Sequence, residues 1–495
     1  MALSAGLDQL VERFAGLRVL VIGEAMLDCY LHGVTERLCR EAPVPIVDVA
    51  HRVEVPGGAA NTAVNARALG ARVTLLSVVG ADTEGATLRR ALAAHDVDEA
   101  ALVDDPSRRT LAKQRLVAGG HLLVRFDQGS TDGLPVASER ALGARLVELA
   151  RAHDAVVVSD YGYGILGPRT IARLAECQAA AARVVVVDSK TLPAYRRAGV
   201  TAVKPNFAEA LALLGARGHR PAGERAAAIT REGHRLLELT GAQIAAVSLD
   251  TEGAVFFEQG SPPYRTYARP AAHAQAAGAG DTFVATLGMA LAAGGDLAAA
   301  AELASAAAGV VVTKDGTAVC SALELRAAVS PSDKVVADVR GLGARLDGHR
   351  AAGRRIVMTS GCFDILHRGH ITFLNAAKAL GDVLVVGLNS DGGVRRLKGT
   401  GRPINDLEDR AHVLAALSAV DHIVPFDEAT PVELVRAVRP DVFVKGGDYT
   451  LERLPEAGMV QAQGGVVRIL PYVSDRSTTS LIARVHERRA LENIA

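Results

Sequence analysis

The sequence predicts an α/β protein of two parallel-sheet domains, the first carrying a small β lid. Three observations predict it. At 495 residues the chain is too long for one ordinary hydrophobic core. Short runs rich in Val and Ile alternate with helical patterns along its whole length. The first α/β series ends near Thr317, and a strand signal restarts at Ile356.

Taken in order, "LRVLVIG" (17–23), "VTLLSVVG" (73–80), "AVVVSD" (155–160), "VVVVDS" (184–189) and "QIAAVSL" (243–249) are continuous apolar runs. Such runs belong to strands buried on both faces, as in a parallel sheet covered by helices. "NTAVNARALG" and "EALALLG" read as covering helices, and 29–56 with 109–127 as alternating strands of a lid. "LAAAAELASAAAGVVVTKDG" is apolar but Ala-rich and broken by Glu302, so a buried helix is expected rather than a membrane span. Pro331, several glycines and many charges mark 326–352 as a helix and linker between domains at 1–325 and 353–495. Strands then recur at "RIVMTS", "DVLVVGLNSD", "DHIVPF", "DVFVKGGD" and "VVRILPYV". Asn405 with Glu408, and Thr430 with Pro431 and Glu433, have capping-box spacing.

Composition narrows the function classes. Hydrophobic residues are 49% and charged residues 22%, a globular rather than disordered balance. A formal net charge of zero argues against nucleic acid or an anionic membrane as partner. Five scattered cysteines without a CxxC pair, and an N-terminus without a signal-peptide pattern, predict a reducing cytoplasm.

Two constellations carry chemistry. In the first domain, "GAGD" (Gly278, Ala279, Gly280, Asp281) opens a predicted helix. Small residues at a helix N-terminus expose N–H groups to an anion, and a carboxylate there can take a proton from a substrate hydroxyl. The alternative is a turn with Asp281 as N-cap. "GEAMLDCY" places Asp28 at a strand exit, "PGGAANTAVN" gives Gly57, Gly58 and Asn61, and "KPNFAE" spaces Asn206 and Glu209 to share one Mg²⁺ through water. In this order the motifs resemble the ribokinase-like (PfkB) sugar kinases over about 310 residues. The resemblance implies an α/β sandwich with a β lid that often pairs two subunits, here a homodimer. It implies Asp281 as general base, Gly278, Ala279 and Gly280 as anion hole, and Asn206 and Glu209 at Mg·ATP. Ser248, Gly253 and Lys314 would line the adenosine, and Asp28, Gly57, Gly58 and Asn61 would hold the sugar. It admits a monovalent cation such as K⁺.

In the second domain, "GCFDILHRGH" supplies Gly361, Phe363, Asp364, His367 and His370 between a strand and a helix. A metal reading would draw on His349, His412 and His422, none of which has ligand spacing. Two imidazoles at a helix N-terminus instead suit phosphate oxygens. The stretch resembles the HxGH signature of the cytidylyltransferase-like nucleotidyltransferases, which implies a Rossmann-like domain. "LNSD" (Asn389, Asp391), Lys398, "VKGGDY" (Lys445, Gly446, Gly447, Asp448) and "STT" (Ser477, Thr478, Thr479) extend the resemblance across that domain. His367, His370 and Lys398 would be catalytic, and the whole set would bind ATP.

Together the motifs resemble the bifunctional heptose-7-phosphate kinase/heptose-1-phosphate adenylyltransferase family over nearly the entire chain. That implies ATP and sugar phosphates as substrates, Mg²⁺ as cofactor, and Arg37, Lys113, Arg115, Arg125 and Lys190 as candidates for the sugar's far phosphate. Glu24, Cys29, Tyr163 and the pair Gly119–Gly120 depart from the family pattern, all on the expected sugar side. Those departures keep open a different sugar, or a kinase half that only senses sugar phosphate. A glycerol- or choline-phosphate cytidylyltransferase fused to a sugar kinase fits the "VKGGDY…STT" tail less well.

Overall fold

The computed structural model describes residues 3–216, 223–268, 277–330, 334–336, 339–447 and 450–471. Contacts divide it into two compact units, 10–263 with 268–328, and 1–9 with 264–267 and 329–495.

In the larger unit, β1 (Arg18–Gly23) leads into the long hairpin β2 (Ala25–Leu38) and β3 (Pro45–Gly58), then α1 (Ala59–Ala68) and β4 (Arg72–Leu76). A second hairpin, β5 (Leu111–Ala118) and β6 (His121–Gln128), precedes β7 (Ala155–Asp160), β8 (Val184–Ser189) and β9 (Ala202–Val203). After α2 (Phe207–Leu213) come β10 (Ile244–Ser248), β11 (Ala254–Glu258), α3 (Ala279–Ala292) and α4 (Leu297–Val311). The main sheet runs β11-β10-β9-β8-β7-β1-β4. Its strands sort by alternation. Val156, Val158, Val185 and Val187 pack with Leu142, Leu146 and Leu174 of the helices Val136–Ala152 and Pro168–Ala180. Val157 and Val186 face α3, whose Gly288 lacks the Cβ that would come within 3.4 Å of both side chains.

The sheet is not wholly parallel. β11 pairs antiparallel with β10, because the connection Asp250–Glu252 is too short for a crossover. Chain order reverses between β1 and β7, with β4 beyond one and β8 beyond the other. Open α/β sheets bind ligands at such a switch point, beyond the carboxyl ends of the strands. The lid is a separate sheet, β3-β2-β5-β6. Its register aligns Asp28 with Val55 and Lys113, and Tyr30 with Val53 and Arg115. Lys113 and Arg115 in turn pair with Asp127 and Arg125. One face therefore carries Asp28, Lys113, Arg115 and Arg125, and the other carries Cys29, Gln114, Leu116, Val124 and Phe126.

The smaller unit holds α5 (Val339–Ala351), β12 (Ile356–Gly361), α6 (Arg368–Lys378), β13 (Val383–Asn389) and α7 (Asp391–Lys398). It continues with α8 (Leu407–Ala415), β14 (His422–Phe426), α9 (Val432–Val438), β15 (Val442–Gly446) and β16 (Val466–Leu470). The all-parallel sheet is ordered β14-β13-β12-β15-β16, which puts its switch point between β12 and β15. The segment expected as a linker contributes to this core: Leu342 and Leu346 of α5 pack with Ile356, Met358 and Val385. Both expected capping boxes shift. Asp406 caps α8 by accepting from the Asp409 amide at 2.9 Å, and Asn405 instead donates its amide to the Asp364 carbonyl at 2.6 Å. α9 starts behind Pro431 with no side-chain cap. Among the described residues no helix is long and apolar enough to cross a membrane.

Candidate active sites

The larger unit's switch point is occupied by a buried polar cluster. Gly278, with φ 82°, turns the chain into α3, so Asp281 falls in that helix's first turn. α1 starts at Ala59, and its first two turns supply Asn61, Thr62 and Asn65. The Asp281 carboxylate is 7% exposed. Its Oδ1 accepts from Thr62 Oγ1 at 3.0 Å and from the Tyr161 hydroxyl at 2.8 Å. Its Oδ2 accepts from Asn61 Nδ2 at 2.9 Å. Burial raises its pKa, opposed by those hydrogen bonds and by the Lys204 charge. A Cβ on Gly278 would come within 2.9 Å of Asn61 Nδ2, so this glycine is required for closure as well as for its φ. A Cβ on Gly280 would lie 3.5 Å from Lys204 Nζ. That buried ammonium pairs with Asp188 at 2.9 Å. Burial pulls the Lys204 pKa down, and Asp188, Glu209 and Asp281 more than offset it, so it remains a cation.

Asn206 and Glu209 form a reciprocal capping box on α2, at 2.9 and 2.8 Å. Only Glu209 Oε2 is committed there, which leaves Oε1 for a hydrated cation. Ser248 bridges to Asn206, and Gly253, at φ 88°, closes the turn behind it. Lys314 is tied to the Val319 carbonyl at 2.7 Å and to Glu324 at 2.6 Å.

On the lid, Asp28 accepts from Arg115 at 2.8 Å and from Thr317 Oγ1 at 3.1 Å. A Cβ on Gly57 would strike Asp28 at 2.6 Å, so this glycine lets the strands close on the carboxylate. Lys113 Nζ lies over the rings of Tyr161 and Tyr163 at 4.9 and 5.7 Å, and Lys190 Nζ lies over Tyr163 at 5.5 Å. Arg125, on the same face, pairs with Asp127. Arg37 does not join them. It is exposed, nine positions along β2 from Asp28, about 30 Å at the strand rise.

The four departures from the family pattern do not share one location. Cys29 faces away from Asp28 and takes a contact from Arg52, and burial raises its thiol pKa. Gly119 and Gly120, at φ 57° and 78°, make the two-residue turn between β5 and β6, which needs positive φ at both positions. Glu24 is fully buried at the end of β1. It accepts from the amides of Tyr161 at 2.7 Å and of Tyr163 and Ile165 at 3.2 Å. Burial pushes its pKa up to about 7. Tyr163 alone stays beside the lid cations.

In the smaller unit, β12 delivers Gly361 and Phe363 to the switch point, and Phe363 adopts φ 44°. His367 caps α6, its Nδ1 accepting from the Gly369 amide at 3.1 Å. The His367 and His370 ring centroids are 4.0 Å apart. Burial, with the neighbouring His367 and Lys398, lowers the His370 pKa to about 3, so its ring is neutral and donates a hydrogen bond rather than a charge. Lys398 ends α7 and is exposed. Lys445 reaches Ser360 Oγ at 2.9 Å and Glu456 at 3.5 Å. Asn389 is buried near Cys362, Gly446 ends β15 and Gly447 follows it.

Asp364 has a different place from the one expected. It is 3% exposed, pairs with Arg402, and accepts from the Ile404 and Asn405 amides, so it anchors a loop. Asp391 is bound by the buried Arg410, which also holds the Cys362 carbonyl. Asp448, Ser477, Thr478 and Thr479 lie outside the described residues. His349 and His422 meet at 3.3 Å, but at the opening residue of β14, whereas His367 follows the carboxyl end of β12. No group of three His, Cys, Asp or Glu suited to a metal occurs among the described residues.

Sequence reasoning missed Thr62, Tyr161, Lys204, Thr317 and Arg410. Position at a strand exit was the available signal for Tyr161 and Lys204, which follow β7 and β9 directly.

Residues 17–323 match the pfkB family carbohydrate kinase model, and 358–482 the Cytidylyltransferase-like model. The chain is 41% identical over 486 residues to the Bifunctional protein HldE of Caulobacter vibrioides, covering 97% of this chain and 99% of that one. The Geobacter sulfurreducens protein of the same name is 40% identical over 488 residues, 97% of each. Among solved structures, Escherichia coli phosphofructokinase-2 in complex with potassium superposes at TM-score 0.53 and 21% identity, covering 63% of this chain and 97% of that one. Arabidopsis thaliana ribokinase complexed with ribose and ATP superposes at 0.50 and 19%, covering 63% and 98%. At these identities the two structures speak to the fold of the larger unit alone.

Proposed function

The chain belongs to the family of bifunctional HldE proteins, a sugar kinase joined to a nucleotidyltransferase, and from that premise we propose that it makes ADP-heptose in two ATP-dependent steps. The first step phosphorylates heptose 7-phosphate at C1, giving the 1,7-bisphosphate. The second joins heptose 1-phosphate to AMP from ATP and releases pyrophosphate. A separate phosphatase removes the 7-phosphate between them.

The observation that carries the kinase reading is the buried Asp281 carboxylate, set between two helix N-termini beside Gly278–Gly280 and the Lys204 ammonium. A base, an anion site and a fixed cation in one place are what phosphoryl transfer to a hydroxyl requires. Asp28 and Asn61 hold the sugar, and Lys113, Arg115, Arg125 and Lys190 meet its 7-phosphate. Ser248, Gly253 and Lys314 line the nucleotide. Glu209 Oε1 would hold, through water, the Mg²⁺ that comes with ATP, and that ion would neutralise charge on the nucleotide's phosphates. A monovalent cation such as K⁺ assists the kinase, a point read by comparing rates in potassium and sodium salts.

In the second site, His367, His370 and Lys398 stabilise charge at the α-phosphorus while the sugar phosphate attacks in line. Lys445 grips the leaving phosphates once it exchanges Ser360 or Glu456 for them. The enzyme works in the cytoplasm as a homodimer joined through the lid. The test is a panel of sugar 7-phosphates with ATP and Mg²⁺, products identified by phosphorus NMR. Transfer to C1 of a heptose 7-phosphate is expected, and transfer to none of the panel sinks the reading.

A further inference from the structure

Asp281 is held by more donors than a free general base needs. Oδ1 accepts two hydrogen bonds, from Thr62 and Tyr161, while Oδ2 accepts one, from Asn61. A carboxylate oxygen offers about two lone-pair directions. Oδ1 is thus filled and Oδ2 keeps one direction open. The two Oδ1 donors are unequal. Thr62 Oγ1 also lies 3.3 Å from the Gly58 carbonyl and 3.4 Å from Ser159 Oγ, so its single proton has competing acceptors. The Tyr161 hydroxyl meets Asp281 alone among the described residues. Burial and the neighbouring Asp281 charge raise its own pKa well above the phenol range, so it keeps its proton.

Tyr161 is itself fixed at both ends. Its backbone amide donates to Glu24, the buried anchor of the loop after β7. Its ring lies under the Lys113 ammonium, on the lid face that carries Asp28. One residue thus touches the loop anchor, a lid cation and the base.

We infer that Tyr161 is a positioning residue of the sugar kinase: it fixes Asp281 so that Oδ2 takes the proton of the sugar hydroxyl, and it couples lid cation Lys113 to that base. The inference rests on the kinase reading above. In the step, the sugar O–H bond breaks and its proton passes to Oδ2. The freed electron pair forms the bond to the γ-phosphorus, and the bridging P–O bond breaks with its pair leaving on ADP. Lys204 and Asp188 act on this base directly, and Glu209 acts on that pair; Tyr161 itself faces Asp188 and Asp28, with Lys113 over its ring and Glu24 on its amide.

The test uses the full chain with Tyr161→Phe, which keeps the ring over which Lys113 sits. A carboxylate that loses a donor holds its proton harder. The acid limb of kcat/KM for sugar phosphorylation should therefore move up by roughly one pH unit. Turnover should fall about ten-fold or more, with KM for ATP within two-fold of the parent. Thr62→Val removes the weaker Oδ1 donor without touching the 161–165 loop, and should move the limb the same way by less. Acid limbs unmoved in both variants, with Asp281→Asn inactive, overturn the inference and leave the kinase reading standing. Sugar phosphorylation retained by Asp281→Asn overturns the kinase reading and this inference with it.

Discussion

Glu24 shows how one residue's place changes its meaning. Its carboxylate is buried and serves three amides of the 161–165 loop, so it shapes the backbone that carries Tyr161 and touches no lid cation. Its folded pKa of about 7 lies above the unfolded value of 4.5. The folded chain holds a proton the unfolded chain gives up, so this group's contribution falls as pH rises from 4.5 to 7, by about 3 kcal/mol at most. Urea midpoints at pH 5 and pH 7 should show that slope, and Glu24→Gln should flatten it. The same variant should lose about 1–3 kcal/mol, since one amide oxygen replaces two acceptors for three N–H groups. With Glu24, Cys29 and the Gly119–Gly120 turn accounted for away from the lid face, Tyr163 is the one departure left beside the lid cations. Its ring lies between the Lys113 and Lys190 ammonium groups.

At the scale of the element, the α2 cap separates two roles that the sequence cannot. Asn206 and Glu209 sit at capping-box spacing, and the structure shows the box closed. Glu209→Gln preserves the capping acceptor and removes the charge. It should cost under about 1 kcal/mol of stability by thermal melting, yet raise the Mg²⁺ concentration needed for half-maximal phosphorylation several-fold. Equal Mg²⁺ demand in both proteins would reduce Glu209 to a cap. The lid makes a second case. Its face opposite Asp28 buries Cys29 and Gln114 but exposes Val124 by 47% and Phe126 by 40%, two large apolar side chains on neighbouring positions of one strand face. Val124→Asp with Phe126→Asp should shift the protein to monomer in sedimentation, and an unchanged mass would remove the lid from the dimer.

Across the whole molecule, the same construction appears twice. Each unit has its own largely parallel sheet, its own reversal of strand order, and a candidate site at that reversal. Each site carries its own charge, Lys204 in one and Lys398 and Lys445 in the other. The two chemistries should therefore separate cleanly by mutation. Asp281→Asn should abolish sugar phosphorylation and leave pyrophosphate release from ATP plus sugar 1-phosphate intact. His367→Ala should do the reverse, with a loss of about 10²–10³ in adenylyl transfer. Equal damage to both activities in folded protein would refute two independent sites.

The sequence by itself determined the alternation of strands and helices, the long strands of both main sheets and the addresses of GAGD and HxGH, while the short strands Ala202–Val203 and Ala254–Glu258 were not legible in it. Those signals are local: a period of two or of 3.6, a glycine that must turn, a small residue before a helix. Tertiary structure decided which neighbours those residues meet. It put Cys29 behind the lid, made Asp364 a loop anchor, left Arg37 far along its strand, and brought Tyr161, Thr62 and Lys204 to Asp281. The physical reason is register. A strand's alternation gives two faces but not which one a distant strand will cover, and a carboxylate's protonation depends on donors more than 200 positions away along the chain, as Asn61 is from Asp281.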